Sequence, residues 1–141
     1  MTFSNAPGWV TAKSTGTTIH GGQTSASQGR YTASAQVAAW GDNNYGACNL
    51  PTPNQGYVSV AAGREHSLAL RGDGSVLAWG NGSSGQCSVP IPNPDFAAIA
   101  AGGGHSLGLK ATGAILAWGD NSAGQCTLPA PNHDFIAVAS G

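Results

Sequence analysis

The chain has 141 residues and a formal net charge of −1, with 22 Gly and 8 Pro residues. Only 8% of the residues are charged, which excludes disorder driven by charge repulsion. The five Lys and Arg residues are too few for the basic patch of a nucleic-acid-binding protein, and no apolar run approaches the roughly 18 residues of a membrane helix. The composition therefore predicts one Gly-rich, turn-rich all-β unit with no nucleic-acid partner and no membrane insertion.

The first part of the chain, residues 1–29, is rich in Thr, Ser and Gly and matches no later part. It lacks the basic start and the apolar centre of a secretory signal peptide. It is left as an unassigned N-terminal segment that is flexible or covers the edge of the next element.

The rest of the chain repeats itself with a period of 39 residues. Residues 40–78 and 79–117 are identical at 17 of 39 positions without a gap, and 118–141 begins a further copy. A unit of this length is one supersecondary element that must stack on copies of itself to bury a core. The period therefore determines the fold class.

Each repeat unit contains four predicted strands. In the second unit these strands are residues 96–101, 105–110, 115–118 and 125–128, and Gly-, Asn- and Asp-rich turns separate them. No stretch of useful length has the 3.6-residue periodicity of a helix. Four short antiparallel strands in 39 residues predict one blade of a β-propeller.

The recurring motifs are AAGxxHSL, LAWG, GQC (GAC at 46–48) and PxPN, and they follow one another in this order along the chain. This pattern resembles the repeat of the regulator of chromosome condensation family, in its short bacterial form. The propeller-type β-lactamase inhibitor protein is similar to the same repeat. The resemblance covers residues 37–141 and implies radially arranged blades, usually about seven to a ring.

The repeat also predicts how the chain is divided. We expect a degenerate partial blade at 30–56, blades at 57–95 and 96–134, and the first strand of a truncated blade at 135–141. Propellers need about four to eight blades, so a single chain forms an incomplete ring. Two arrangements remain: a part of a longer propeller, or a head-to-tail homo-oligomer in which 135–140 of one chain completes the partial blade of the next.

Three residue types recur at equivalent positions and are interpreted as structural. The imidazoles are expected to bond a turn of their own blade, and the indoles to pack between blades, with carbohydrate stacking as the alternative role. Three evenly spaced thiols form neither a disulfide framework nor a zinc site, so they are expected to pack an outer strand. These residues are Trp40, Trp79, Trp118, His66, His105, Cys48, Cys87 and Cys126.

The loop residues vary between units while the motifs stay constant, which is typical of a scaffold that presents a binding surface. Tyr45, Arg64, Glu65, Arg71 and Asp73 are the candidate binding residues. The tripeptide that begins at Arg71 is interpreted as a turn variant and not as an adhesion motif. No catalytic residue, metal site or cofactor is predicted, and the Asp-Asn loops are expected to form Asx turns and not calcium sites.

The leading hypothesis is a non-catalytic propeller module that binds a protein partner through these loops. The alternatives are an inhibitor of an extracellular enzyme and a carbohydrate-binding propeller. Guanine-nucleotide exchange on a small GTPase, which some relatives perform, ranks last because the units carry no inserted wedge or acidic loop.

Overall fold

The structure is a computed structural model that describes residues 16–20, 23–25 and 36–141. The described residues form nine strands and no helix, so no helix there could span a membrane. The strands are β1 Gly16–His20, β2 Gln23–Ser25, β3 Gln36–Trp40, β4 Tyr57–Ala62, β5 His66–Arg71, β6 Val76–Gly80, β7 Phe96–Ala101, β8 His105–Lys110 and β9 Ile115–Gly119. The all-β prediction is confirmed.

Two of the sheets are successive copies of one antiparallel unit. Blade 1 has the strand order β4-β5-β6 and blade 2 has the order β7-β8-β9. Their registers match at a shift of 39 residues, down to a β-bulge near the start of the first strand in each blade. The three strands predicted for 96–118 are therefore found where the repeat placed them.

The fourth strand of the predicted blade is not formed at 125–128. Gly124 N donates to Asn121 O at 3.1 Å and Thr127 N donates to Gly124 O at 2.9 Å, so this segment is a pair of consecutive turns. Pro129 follows and has no N–H to donate to a sheet. Blades 1 and 2 thus have three strands each, and the four-strand prediction is wrong in this respect.

One asparagine side chain takes the place of the missing strand. Asn93 Oδ1 accepts from Val76 N at 2.9 Å, and Asn93 Nδ2 donates to Val76 O at 2.8 Å. This side chain satisfies the backbone N–H and C=O of Val76, two of the groups that a fourth strand would pair. The same bidentate contact recurs one period earlier and one period later. We call these residues the clamp asparagines: Asn54 on Val37, Asn93 on Val76 and Asn132 on Ile115.

The N-terminal sheet has the order β2-β1-β3, with β1 parallel to β3. Strand β3 corresponds to the third strand of a blade. Strand β4 lies against β1 and β2 as β7 lies against β4 and β5, so β1 and β2 take the second and first strand positions. Of the partial blade predicted at 30–56, residues 30–35 lie outside the described residues, and the strand that occupies the second position comes from residues 16–20.

Residues 135–140, predicted as the first strand of a further blade, are not paired as a strand with any described residue. Phe135 N donates to Gly113 O at 3.0 Å, which repeats the bond of Phe96 N to Gly74 O at 2.9 Å. The segment therefore enters along the same path as β7. The side chain of Ile136 is 94% exposed there.

The main core lies between the two blades. Leu68, Leu70 and Val76 of blade 1 pack with Phe96 and Trp118 of blade 2. Complete burial of a side chain such as Leu68 stabilises the fold by roughly 1.5–3 kcal/mol. Because this core belongs to neither blade alone, it fixes how one blade lies on the next.

Candidate functional site

The recurring His, Ser and Trp side chains interlock the two blades. Ser106 Oγ donates to Gln86 O at 2.9 Å, and Trp118 Nε1 donates to the same carbonyl at 2.8 Å. The Ser106 hydroxyl has then used its proton, so at 2.9 Å it accepts from His66 Nε2. The imidazole of blade 1 thus bonds blade 2, and not a turn of its own blade as the sequence had suggested.

The interlock recurs on both sides of this interface. Ser67 Oγ and Trp79 Nε1 both donate to Ala47 O, at 3.0 Å and 2.8 Å. On the far side of blade 2, His105 Nε2 lies 2.8 Å from Ser140 Oγ. The indoles of Trp79 and Trp118 are therefore occupied by backbone carbonyls of the preceding unit.

The His–Ser pair has no catalytic geometry. His66 and Ser106 are completely buried, and the hydroxyl donates to a backbone carbonyl, so the imidazole does not act as its base. Burial first and the neighbouring His105 second lower the pKa of His66 to about 4, which keeps the ring neutral. Its Nδ1 has no partner among the described residues and faces Gly63, where a Cβ would lie 2.6 Å from Nδ1.

The three cysteines are half-buried free thiols in the turns, not residues of an outer strand. Each Sγ donates to the carbonyl six residues earlier, over 3.7 Å at Cys48, 3.2 Å at Cys87 and 3.3 Å at Cys126. Burial raises the pKa of all three thiols, and Asp42 and Asp120 raise it further at the first and third. They are protonated loop-closing groups, and no metal-binding cluster occurs in the described part of the chain.

The antiparallel order divides the loops between two opposite ends of the blades. We call the end formed by 41–48, 63–65, 81–87, 102–104 and 120–126 the loop end. We call the end formed by 71–75, 92–95 and 110–114 the turn end. The structure places Tyr45, Arg64 and Glu65 at the loop end, whereas Arg71 and Asp73 lie at the turn end. The five candidate residues do not form one site.

At the turn end, the charged side chains support the frame. The Arg71 guanidinium lies 5.9 Å from the centre of the Tyr57 ring, and Lys110 Nζ lies 3.6 Å from that of Phe96. The Asp73 carboxylate accepts from Ser75 Oγ at 2.6 Å and from Ser75 N at 2.9 Å, and these bonds lower the pKa of Asp73. Arg71 and Asp73 thus belong to a closed hairpin turn.

At the loop end, a fixed backbone presents exposed side chains. Arg64 N donates across the blade interface to Gly102 O at 3.3 Å, and Asn81 N donates to Glu65 O at 2.8 Å. Asn81 Nδ2 also donates to Glu65 Oε2 at 2.8 Å. The Arg64 side chain stays 80% exposed and Tyr45 is 55% exposed. These two side chains project from a surface that hydrogen bonds hold in place.

The carboxylates of the loop end follow a rule that sequence reasoning missed. Asp120 has Gly104 beside it, whereas the equivalent positions of blade 1 carry Asn81 and Glu65. A Cβ on Gly104 would lie 3.4 Å from Asp120 Cβ. Each blade therefore has one carboxylate, at one position or the other. Blade 1 has Asn81 where blade 2 has Asp120, and it has Glu65 where blade 2 has Gly104. This paired difference is the signal that could have revealed the Glu65–Asn81 contact.

The Asx turns expected in these loops are present. Asp42 Oδ1 accepts from Asn44 N at 3.0 Å, and Asp120 Oδ1 accepts from Ser122 N at 2.9 Å. Bonds to Ser122 are the main cause that lowers the pKa of Asp120. The carboxylates of Asp42 and Asp120 are thus used within their own turns.

Comparison with known proteins agrees with this architecture. The family model described as "Regulator of chromosome condensation (RCC1) repeat" matches residues 57–86 and 96–125. No curated protein is significantly similar to the chain in sequence.

Several solved structures are similar to the chain. The ectodomain of the receptor kinase CR4 from Physcomitrella patens is 26% identical over 62% of this chain and 24% of its own, with a TM-score of 0.52. The C-terminal domain of gp131 from bacteriophage phiKZ is 22% identical over 60% of this chain and 24% of its own, with a TM-score of 0.51. Prp20p from Saccharomyces cerevisiae is 27% identical over 60% of this chain and 22% of its own, with a TM-score of 0.49.

The chain spans less than a quarter of the length of each of these three proteins. The matched segments coincide with blades 1 and 2, including their interlocking His-Ser motifs. Blades 1 and 2 thus carry two repeats of the RCC1 type, and each is built like a blade of a β-propeller.

Proposed function

We propose that this chain is a non-catalytic protein-binding module whose loop end contacts the partner. The exposed anchors are Tyr45 and Arg64, residue types that are enriched among the residues that dominate binding energy. Glu65 supports them from within the same surface. Arg71 and Asp73 are left out of the proposed contact because they lie at the turn end and bond their own hairpin.

The observation that carries this proposal is that the repeat contains two classes of residue with different environments. The ionisable residues that recur in both blades are occupied: the buried imidazole in the interlock and the thiols in loop closure. The residues that differ between the blades, such as Arg64 against Gly103, are exposed at the loop end. A constant frame with variable exposed tips supports recognition and not catalysis.

Two alternatives have less support. Carbohydrate stacking on the repeat indoles would need their faces to be exposed, but Trp118 is buried and Trp79 donates to the preceding unit. The repeats run from 57 to 134 without an insertion, so no wedge for nucleotide exchange extends from them.

The test is site-directed photo-crosslinking in cells that express the chain. A photoreactive aromatic residue replaces Tyr45 at the loop end or Thr112 at the turn end, as the matched control. We expect one predominant protein adduct from position 45, reduced by the additional change Arg64→Ala and absent from position 112. Equal adducts from both ends, or an adduct that is insensitive to Arg64→Ala, would contradict the proposal.

A further inference from the structure

Asn81 and Gly82 form the only Asn-Gly dipeptide in the sequence, and they lie at the loop end. A backbone nitrogen attacks the preceding asparagine amide most readily when glycine follows, because no side chain obstructs the approach. We propose that this dipeptide is a self-modification site. Spontaneous deamidation there replaces the Asn81 amide with a carboxylate, assisted by the neighbouring Glu65.

The attacking group is accessible. Gly82 is exposed, and its N–H has no hydrogen-bond acceptor in the part of the chain that the structure describes. A Cβ at Gly82 would meet only Cys87, at an ordinary 3.5 Å. Solvent base can therefore remove the proton that must leave this nitrogen before it attacks Asn81 Cγ.

The amide under attack is polarised at both of its polar atoms. Asn81 Oδ1 accepts from Ser83 N at 2.9 Å, and this N–H stabilises the negative charge that develops on the oxygen. Asn81 Nδ2 donates to Glu65 Oε2 at 2.8 Å, which places a carboxylate beside the leaving nitrogen, where it can accept the proton lost by Gly82 N and pass it to the departing ammonia.

The reaction balances with water as the only co-reactant. A bond forms between Gly82 N and Asn81 Cγ, the Cγ–Nδ2 bond breaks, and the proton lost by Gly82 N leaves with the ammonia. The cyclic imide then adds one water and opens to aspartate or isoaspartate at position 81. No oxidant or reductant takes part.

Other asparagines provide internal controls. Asn43 and Asn121 occupy equivalent loops, but residues with side chains, Asn44 and Ser122, follow them. Their amide oxygens accept from backbone N–H groups within the loop. The clamp asparagines hold both amide atoms on a strand. Asn81 alone among these combines a following glycine with a carboxylate at its amide nitrogen.

The product changes the loop end in a specific way. Aspartate is compatible with the turn, because Asp42 and Asp120 make the same Asx bond at equivalent positions. At position 81, however, the new carboxylate would face Glu65 across the 2.8 Å contact that the amide now makes. Like charges at this distance repel, so deamidation displaces Glu65 and alters the surface beside Arg64.

The test incubates the folded chain at mildly alkaline pH and follows each asparagine by peptide mass spectrometry. We expect Asn81 to deamidate at least about tenfold faster than Asn43 or Asn121. Gly82→Ala, which the structure accommodates, should slow the reaction by about tenfold. Glu65→Gln keeps an acceptor oxygen but removes the charge, and should slow it severalfold.

Circular dichroism verifies that each variant is folded, and N81D provides the standard for the aspartate product. The proposal is overturned if Asn81 reacts no faster than Asn121 or if Gly82→Ala leaves the rate unchanged. An unchanged rate in folded Glu65→Gln overturns the assisting role of Glu65.

Discussion

Blades 1 and 2 share one frame but differ in which strands are buried. In β5 of blade 1, the first five residues are buried, whereas in β8 of blade 2 His105 and Leu107 are half-exposed. For the indoles the order is reversed: Trp118 is buried and Trp79 is half-buried. Each repeat residue is thus shielded from solvent by whichever unit packs against its face of the blade. The interface between blades 1 and 2 is the best-formed part of the described structure.

The largest expected effect compares equivalent leucines. Leu68 is completely buried between the blades, whereas its counterpart Leu107 is half-buried. Leu68→Ala should lower the free energy of unfolding by about 2–5 kcal/mol, and Leu107→Ala by less than half of that. Urea unfolding followed by circular dichroism measures both values. Equal losses would show that the two interfaces are equally well formed.

The next effect is a pH dependence of stability that arises at His66. The folded chain keeps His66 neutral down to about pH 4, whereas the unfolded chain protonates it below pH 6.5. Between these values the unfolded state binds more protons, so the free energy of unfolding should fall by roughly 3 kcal/mol as the pH drops. Unfolding curves across this range measure it.

The controls for this prediction are two asparagine substitutions. His66→Asn should remove this pH dependence of the unfolding free energy, whereas His105→Asn should retain most of it, because burial is the main cause of the lowered pKa of His66. If the first variant does not fold, the ring resonances of the wild-type chain settle the question. A His66 resonance that titrates near pH 6.5 would contradict the structure.

The clamp asparagines give a smaller effect. Asn93→Ala leaves Val76 N–H and C=O without their partner, which should cost about 1–3 kcal/mol of unfolding free energy. Asn93→Asp keeps the acceptor oxygen but loses the donor. Its loss of unfolding free energy should therefore be smaller than that of Asn93→Ala. Asn132→Ala at the equivalent position of blade 2 provides the matched comparison by urea unfolding. An Asn93→Ala variant as stable as the wild type would show that water replaces the two hydrogen bonds of the Asn93 side chain.

The smallest effect on stability is expected at the loop end. Arg64→Ala removes an 80% exposed side chain whose Nε lies 3.9 Å from Glu65 Oε1. The free energy of unfolding should therefore change by no more than about 0.5 kcal/mol. A thermal melt of this variant should coincide with that of the wild type. A clear loss would mean that Arg64 belongs to the frame and not to the presented surface.

The repeat period made most of the fold predictable, because a gapless 39-residue match assigns the same strands to each unit. The strands at 96–101, 105–110 and 115–119 follow from apolar runs bounded by turns. The strand predicted at 125–128 failed because turn bonds from Gly124 and Thr127 close that segment. A short polar stretch before Pro129 is compatible with a strand and with a pair of turns, so the sequence does not distinguish between them.

The candidate site was only partly predictable, for two different reasons. The separation of Arg64 from Arg71 follows from the strand between them, since Arg64 lies in the loop before β5 and Arg71 is its last residue. It could have been deduced from the predicted strands. The His66 side chain bonds the Ser106 side chain, and the Trp118 indole bonds the backbone carbonyl of Gln86, so these contacts join residues 32 to 40 positions apart in neighbouring units. Spacing alone cannot reveal which atoms meet across a blade interface.

The clamp asparagines have a consequence beyond the stability of their own blade. The outer edge of a sheet offers free N–H and C=O groups on which strands of other chains can assemble into aggregates. Asn93 occupies this edge on β6 with a side chain that cannot extend the sheet, and Asn132 does the same on β9. A chain without these two side chains should aggregate faster at high concentration, even under conditions in which it remains folded.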